Sequence, residues 1–325
     1  MIAPDLPADL KAAIDARLHG RSRTGAAATA AAISRTYRAG GGSAAIRSEN
    51  DALAYALARM PATYAAVTAS LNALYASRPG FAPASLLDVG AGPGTASWAA
   101  AAAFASLQAF TLLDSNAALR ELGLELCAAS SRLRGSTYRH GDARAVLAGI
   151  EPADLVVASY MMGESGGAER PALAELMWAK TRDSLLIVEP GTPAGYNTIL
   201  ALRQQLIASG AHVTAPCPHE RSCPLTTPDW CHFSQRLPRS RAHRQVKAGE
   251  LGYEDEKFAY VVLSRAAVRE RRARVLAQPD VGKVEVSAKL CTPDGLVTAR
   301  VPRRDRAGYA RARRWRWGDA IVDEA

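Results

Sequence analysis

Three of the chain's five cysteines crowd into fifteen residues, CPHERSCPLTTPDWC, as Cys217, Cys223 and Cys231. A thiolate can ligate a metal, attack a substrate or enter a disulfide, and a thiol can pack as a small apolar group. Cys127 lies in the helical stretch NAALRELGLELCAAS and reads as a core residue. Cys291, sixty positions beyond Cys231, is the remaining partner. Four thiolates are what tetrahedral zinc or an iron–sulfur cluster takes. Gaps of five and seven residues lack the tight knuckle of structural zinc and lean toward a [4Fe–4S] cluster. His219 and His232 could equally complete a zinc site. Radical chemistry needs three closely spaced thiols and one open iron, which these gaps do not offer.

A second chemical signal is LLDVGAGPGTAS. Asp88, Gly90, Gly92 and Gly94 close a short apolar segment, and glycine lets a backbone turn sharply and approach a ligand. Asp114 ends the next apolar segment, twenty residues past Gly94, where a carboxylate can accept from ribose hydroxyls. Asp142, in HGDA, is placed to receive an adenine amino group. A dinucleotide site would want G-x-G-x-x-G, whereas these glycines fall at every second position. That spacing resembles the first motif of class I S-adenosylmethionine-dependent methyltransferases, and S-adenosylmethionine is the cofactor it implies.

Catalytic groups are harder to find. An amino-group methylase would show Asn/Asp-Pro-Pro-aromatic after the fourth strand, where this chain has SYMMGESGG. Pro216-Cys217 superficially suits a cytosine-C5 methylase, whose thiol adds to the base, but it lies beyond the fifth strand. Tyr160 and Glu164 are the substrate-side candidates, and Glu189 a structural or binding one.

The charge is uneven. The chain carries 40 Lys and Arg against 31 Asp and Glu, a net of +9, and its first 200 residues carry 17 of each. The excess therefore sits in the last third. It peaks at RVPRRDRAGYARARRWRW, with Arg303, Arg304, Arg306, Arg311, Arg313, Arg314 and Arg316 interleaved with Trp315 and Trp317. Guanidinium groups pair with phosphates and aromatic rings stack on bases, so an RNA partner is expected. Arg236, Arg239 and Arg241, with Arg244 and Lys247, extend the basic surface from the cysteine segment.

The elements that must position these residues follow from pattern. Residues 1–80 read as helical, with ENDALAYALARM stopped by Pro61, TYAAVTASLNALYAS as a further helix, and RAGGGSAA (38–45) as a flexible break. Residues 81–210 and 245–267 alternate strand and helix: SLLDVG, AFTLLD, STYRHGD, ADLVVASY and SLLIVEP predict a parallel sheet covered on both faces, an α/β domain. KFAYVVLSR is expected to complete that sheet, and the acidic run YEDEK before it reads as a turn. Residues 211–244 form a cysteine-rich insertion. Residues 268–325 form a basic β-module around GKVEVSAKLCTPDGLVTARVPR, a hairpin turning at Pro293-Asp294-Gly295. No apolar run is long enough to span a membrane. Asp5, Asp9 and Asp15 argue against a transit peptide, so a cytoplasmic protein, a monomer when free, is expected.

Taken together, YRAGG, AYALARMPATYAA, LLDVGAGPGTASWA, VEPGTPAGY, CPHERSCPL, DWCHFSQRLPRS and HRQVKAGELGYEDEKFAYVVLSR resemble the methyltransferase-like proteins of the mitochondrial small-ribosomal-subunit assembly-factor family and their bacterial relatives. The resemblance covers nearly the whole chain. It implies a Rossmann-like class I methyltransferase fold, association with the small ribosomal subunit or its rRNA, and an iron–sulfur site. Cys217, Cys223, Cys231 and Cys291 match that site one by one. The family is linked to rRNA methylation, but the resemblance supplies no catalytic motif here.

Overall fold

The computed structural model describes residues 1–18, 42–239 and 251–321. Helix α1 (Ala8–Leu18), a 3-10 turn (Gly42–Ala45) and α2 (Glu49–Ser77) precede the sheet. The sequence predicts a helix that stops at Pro61 and another beyond it. Instead α2 is one helix of 29 residues that runs through the proline. A proline inside a helix loses one amide hydrogen bond and costs about 3 kcal/mol. Tertiary burial overrides that cost, since Leu53, Leu57 and Met60 before Pro61 and Tyr64, Leu71 and Leu74 after it all pack into one core. Each such side chain contributes about 1.5–3 kcal/mol, so breaking the axis would lose more than the proline does. Ser48 and Asp51 close the N-terminus as a capping box, Ser48 Oγ accepting from Asp51 N at 3.2 Å.

Five strand–helix units follow: β1 (Ser85–Val89), α3 (Thr95–Ala103), β2 (Ala109–Asp114), α4 (Ala117–Ala128), β3 (Thr137–His140), α5 (Ala143–Leu147), β4 (Ala153–Ser159), α6 (Arg170–Ala179), β5 (Thr181–Pro190) and α7 (Pro193–Ala208). They are succeeded by β6 (His212–Ala215), β7 (Phe233–Pro238) and β8 (Tyr253–Ser264). The sheet order is β3-β2-β1-β4-β5-β8-β6, with β7 also on β8. Pairings among β1 to β5 are parallel. The inner strands β1, β4 and β5 are largely buried because helices cover both faces, α2, α3 and α4 on one side and α6 and α7 on the other, whereas β3 at the edge is mostly exposed. Cys127 is buried in that core, as expected.

Three sequence expectations need correction. KFAYVVLSR does join the sheet, but antiparallel, between β5 and β6. YEDEK is not a turn: it is the first half of β8 and pairs with β7, Arg236 opposite Asp255 and Leu237 opposite Glu254. Its charges sit on an edge ladder, where alternation of polar and apolar positions was masked by four consecutive polar side chains. The described part of 211–244 is not a free insertion either, because β6 and β7 belong to the main sheet and residues 216–232 are the loop between them.

The C-terminal module has β9 (Ala273–Val275), β10 (Asp280–Val281), β11 (Glu285–Thr292), β12 (Gly295–Pro302), α8 (Arg306–Ala312) and β13 (Ala320–Ile321). The predicted hairpin is β11–β12, closed where Thr292 faces Gly295. Its sheet, β10-β11-β9-β13 with β12 on β11, covers a small core of Ala273, Val275, Ala288, Leu290 and Ile321. Polar contacts fasten it to the loop after β6. Arg274 Nε donates to Pro216 O at 3.0 Å, Trp317 Nε1 to His232 O at 2.9 Å, and Lys289 pairs with Asp229. Arg241 lies outside the described residues, as do Arg244, Lys247 and residues 38–41.

Candidate functional sites

Winding runs outward from β1 toward β3 and in the opposite sense from β4, so the loops after β1 and β4 part at the switch point and open a crevice. The glycine loop lies there. Gly90, Gly92 and Gly94 have φ of 68°, 54° and 81°, a region side chains disfavour. Their reasons differ. A Cβ on Gly90 would fall 2.7 Å from Met161 Cβ, and one on Gly94 3.2 Å from Leu112 Cδ2, so both serve packing. A Cβ on Gly92 would meet only Leu119 Cδ1 at 3.9 Å, an ordinary contact, so packing does not demand its glycine. Gly92 is thus where a ligand can approach.

Asp114 shapes the loop as well as facing the crevice. Its Oδ2 accepts from Gly92 N at 2.7 Å and its Oδ1 from Asn116 N at 2.7 Å, which leaves further lone pairs for hydroxyl donors. Burial raises its pKa, and those amides oppose the rise. Asp88 lies behind the loop, with Oδ2 accepting from Ser97 N and Oγ at 3.0 and 2.8 Å and Oδ1 unpartnered. Burial pushes it up to about 7. It braces the turn rather than touching the crevice. Asp142 caps α5, its Oδ1 accepting from Arg144 N at 3.0 Å, and stays exposed with its other oxygen unengaged by that cap.

The loop after β4 is fixed by Glu189. Its two oxygens accept from Met162 N and Gly163 N at 3.0 and 3.1 Å, and burial pushes this carboxyl too up to about 7. Tyr160 sits at φ 58°, strained for a side chain of its size, and its hydroxyl donates to Glu256 Oε1 at 2.8 Å. Arg59 Nη2 reaches the same oxygen at 3.4 Å. Glu164 instead accepts from Ser43 N and Ser43 Oγ, both at 2.9 Å. Asn116 Nδ2 donates to Ser43 O at 3.0 Å and Ile46 O at 2.9 Å. Residues 42–46 therefore strap across the carboxyl edge from β2 to β4, over the glycine loop. Sequence reasoning missed Asn116, Ser43, Glu256 and Arg59, because their partners are 70 to 197 positions away.

The structure brings the four thiols to one cavity. Cys217 follows β6, Cys223 lies mid-loop, Cys231 precedes β7 and Cys291 comes from β11, and all four line the same pocket. All five cysteines are free. Tyr196 OH donates to Cys223 Sγ at 3.2 Å, and His219 Nε2 is 3.5 Å from Cys291 Sγ. Burial, then the Cys217 and Cys223 thiols, pushes Cys291 up to about 12; burial and the other three thiols raise Cys231 in the same sense. Among the described residues, no three His, Cys, Asp or Glu side chains close on a point as a single ion requires. His232 does not join the thiols: it stacks on Trp230 at 5.0 Å and meets Trp317 edge-on at 4.8 Å.

Arg303, Arg304, Arg306, Arg311, Arg313, Arg314 and Arg316 are exposed around α8. The tryptophans between them are occupied with packing. Trp315 lies against the small core and Trp317 against His232. Arg236 pairs with Asp255 at 2.8 Å and lies 4.0 Å over the Tyr253 ring, while Arg239 pairs with Glu254 at 3.3 Å.

Strand order, glycine loop and crevice define a Rossmann-like α/β domain of the methyltransferase class. The sequence profile of the family described as mitochondrial small ribosomal subunit Rsm22 matches residues 49–322, and the chain belongs to that family. It is 32% identical over 295 residues to the human ribosome assembly protein METTL17, mitochondrial, across 84% of this chain and 63% of that protein's length. Among solved structures it is similar to magnesium protoporphyrin IX methyltransferase from Synechocystis PCC 6803 (11% identity, TM-score 0.41, covering 63% of this chain and 80% of that one). It is likewise similar to precorrin-6y C5,15-methyltransferase from Geobacter metallireducens GS-15 (13% identity, TM-score 0.40, covering 60% and 87%). Those two likenesses add nothing to what the topology establishes.

Proposed function

We propose that this chain is an assembly factor of the small ribosomal subunit, working in the cytosol, that binds S-adenosylmethionine, a [4Fe–4S] cluster and immature rRNA. The observation that carries the proposal is the meeting of Cys217, Cys223, Cys231 and Cys291 in one cavity, exactly one of them from the basic module. Four cysteines lining one cavity supply the ligand set that a four-iron cluster takes. When bound, the cluster supplies ligation that couples the module to the main domain. Gly92 and Asp114 would hold the methionine and ribose parts of S-adenosylmethionine, with the free oxygen of Asp142 toward the adenine. The exposed arginines around α8 would pair with phosphates.

Methyl transfer is a second reading, favoured by the strained Tyr160 at the end of β4, whose hydroxyl is oriented by Glu256. Both readings are separated by incubating the purified chain with immature small subunits and methyl-labelled S-adenosylmethionine. Salt-sensitive association without label supports the assembly role alone. Stoichiometric label at one nucleotide, lost in Tyr160→Phe, assigns turnover. No association with immature subunits overturns the proposal.

A further inference from the structure

Two arginines in the thiol cavity lack the counter-charge that buried guanidinium groups need. Arg203, on α7, is 2% exposed and Arg274, on β9, is 5% exposed. A guanidinium stays protonated wherever it is placed. Arg203 Nη2 donates to His219 O at 2.6 Å, but Nε and Nη1 are buried without a partner. Arg274 spends Nε on Pro216 O and Nη1 on Gly318 O, the latter at 2.8 Å, both neutral carbonyls. Among the described residues no carboxylate pairs with either one. Elsewhere in the chain buried or half-buried arginines do find acids, as Arg59 does Glu256 and Arg78 does Asp183. Uncompensated charge in an apolar cavity is costly, so the pair calls for an anion between them.

The four cysteine thiols line the same cavity as both arginines, and neutral thiols are not that anion. Four thiolates around a core of charge 2+ are. Their net charge of 2− is matched by two guanidinium groups. We infer that Arg203 and Arg274 are the counter-charges of a dianionic four-thiolate centre in this cavity, and that Arg203 donates from its two unpartnered nitrogens, Nε and Nη1, to the centre's sulfur atoms. This rests on the cluster reading above. The two arginines are positioning residues, not ligands. Donors to cluster sulfurs and nearby positive charge set a cluster's reduction potential and its retention.

The test compares the full chain with Arg203→Gln, Arg203→Lys and Arg274→Gln, each purified without oxygen. Arg203→Gln should make the one-electron reduction equilibrium about tenfold less favourable, about 59 mV more negative. It should also release iron to a chelator about tenfold faster. Arg203→Lys, which keeps the charge, should restore most of the potential. Stability supplies a readout that a merely structural arginine would not reproduce. Loss of the charge should leave the metal-free protein as stable as its parent or more so, and weaken the metal-loaded protein. If Arg203→Gln does not fold, Arg274→Gln carries the potential and iron-release comparison, and its stability is read as the metal-loaded minus metal-free difference because Arg274 also fastens the module. Equal shifts with and without metal, or an unchanged potential and iron release, overturn this inference and leave the cluster reading standing. A parent chain with neither iron nor zinc overturns both. A parent with zinc overturns the cluster alone, and the loaded-against-free stability comparison then decides the arginines.

Discussion

Asp88 and Glu189 are carboxyls held in the core beside the crevice, each pushed up to about 7 by burial. An Asp titrating at 3.8 when unfolded and about 7 when folded holds an extra proton in the fold between those values. Stability attached to it is full below about pH 4 and falls as pH rises toward 7. Replacing Asp88 by Asn keeps an oxygen for Ser97 and removes the titration. Urea unfolding at several pH values should therefore show Asp88→Asn gaining on its parent by about 1.4 kcal/mol per pH unit between pH 5 and 6.5. A difference that does not move with pH would mean Asp88 is ionised in the fold. At this scale the sequence is a good guide to residue type and a poor one to role. Gly90, Gly92 and Gly94 were all legible as a turn, yet only at Gly92 is the Cβ position uncrowded, because Met161 in the loop after β4 and Leu112 on β2 approach the other two. Glu164, expected on the substrate side, is the anchor of Ser43. Trp315 and Trp317, expected to stack on bases, are half-buried, Trp315 against the small core and Trp317 against His232.

Among elements, α2 and the strap over the glycine loop carry the clearest consequences. Pro61→Ala restores an amide donor in the middle of α2, where the axis is already helical on both sides. It should stabilise the chain by about 1–3 kcal/mol, seen as a higher melting temperature. Destabilisation instead would show that the half-buried proline ring is needed for packing. The strap makes a different prediction. If residues 42–46 close the crevice, Glu164→Gln should weaken S-adenosylmethionine binding about tenfold by calorimetry, the loss of one charge-assisted pair of hydrogen bonds, roughly 1–2 kcal/mol. Unchanged affinity would separate the strap from the cofactor. Strand existence was legible throughout β1 to β5 and in the β11–β12 hairpin, where apolar runs and turn residues agree. Strand direction was not, because β8 reads the same whether it pairs parallel or antiparallel, and its polar first half hides that it is a strand at all.

Seen whole, the molecule is a methyltransferase-fold domain and a basic β-module meeting at a cavity of thiols. The convergence of Cys291 with three cysteines some sixty or more positions away could be read only from the family resemblance, since spacing says nothing about which loop meets which hairpin. The arginines that flank them carried no sequence signal. If the basic face binds RNA through phosphates, affinity should fall steeply with salt, and Arg303→Gln with Arg304→Gln should each reduce the log–log slope by about 0.7 on single-stranded RNA. A slope indifferent to these changes would move the interface elsewhere.

The most direct measurement is iron, acid-labile sulfide and zinc content, with an absorption spectrum, on the chain purified without oxygen, alongside Cys291→Ser. The account predicts about four irons and four sulfides per chain, a broad visible shoulder, and loss of both with loosening of the C-terminal module in the variant. A colourless parent chain, whether it carries zinc or no metal, would contradict the cluster at the centre of this account.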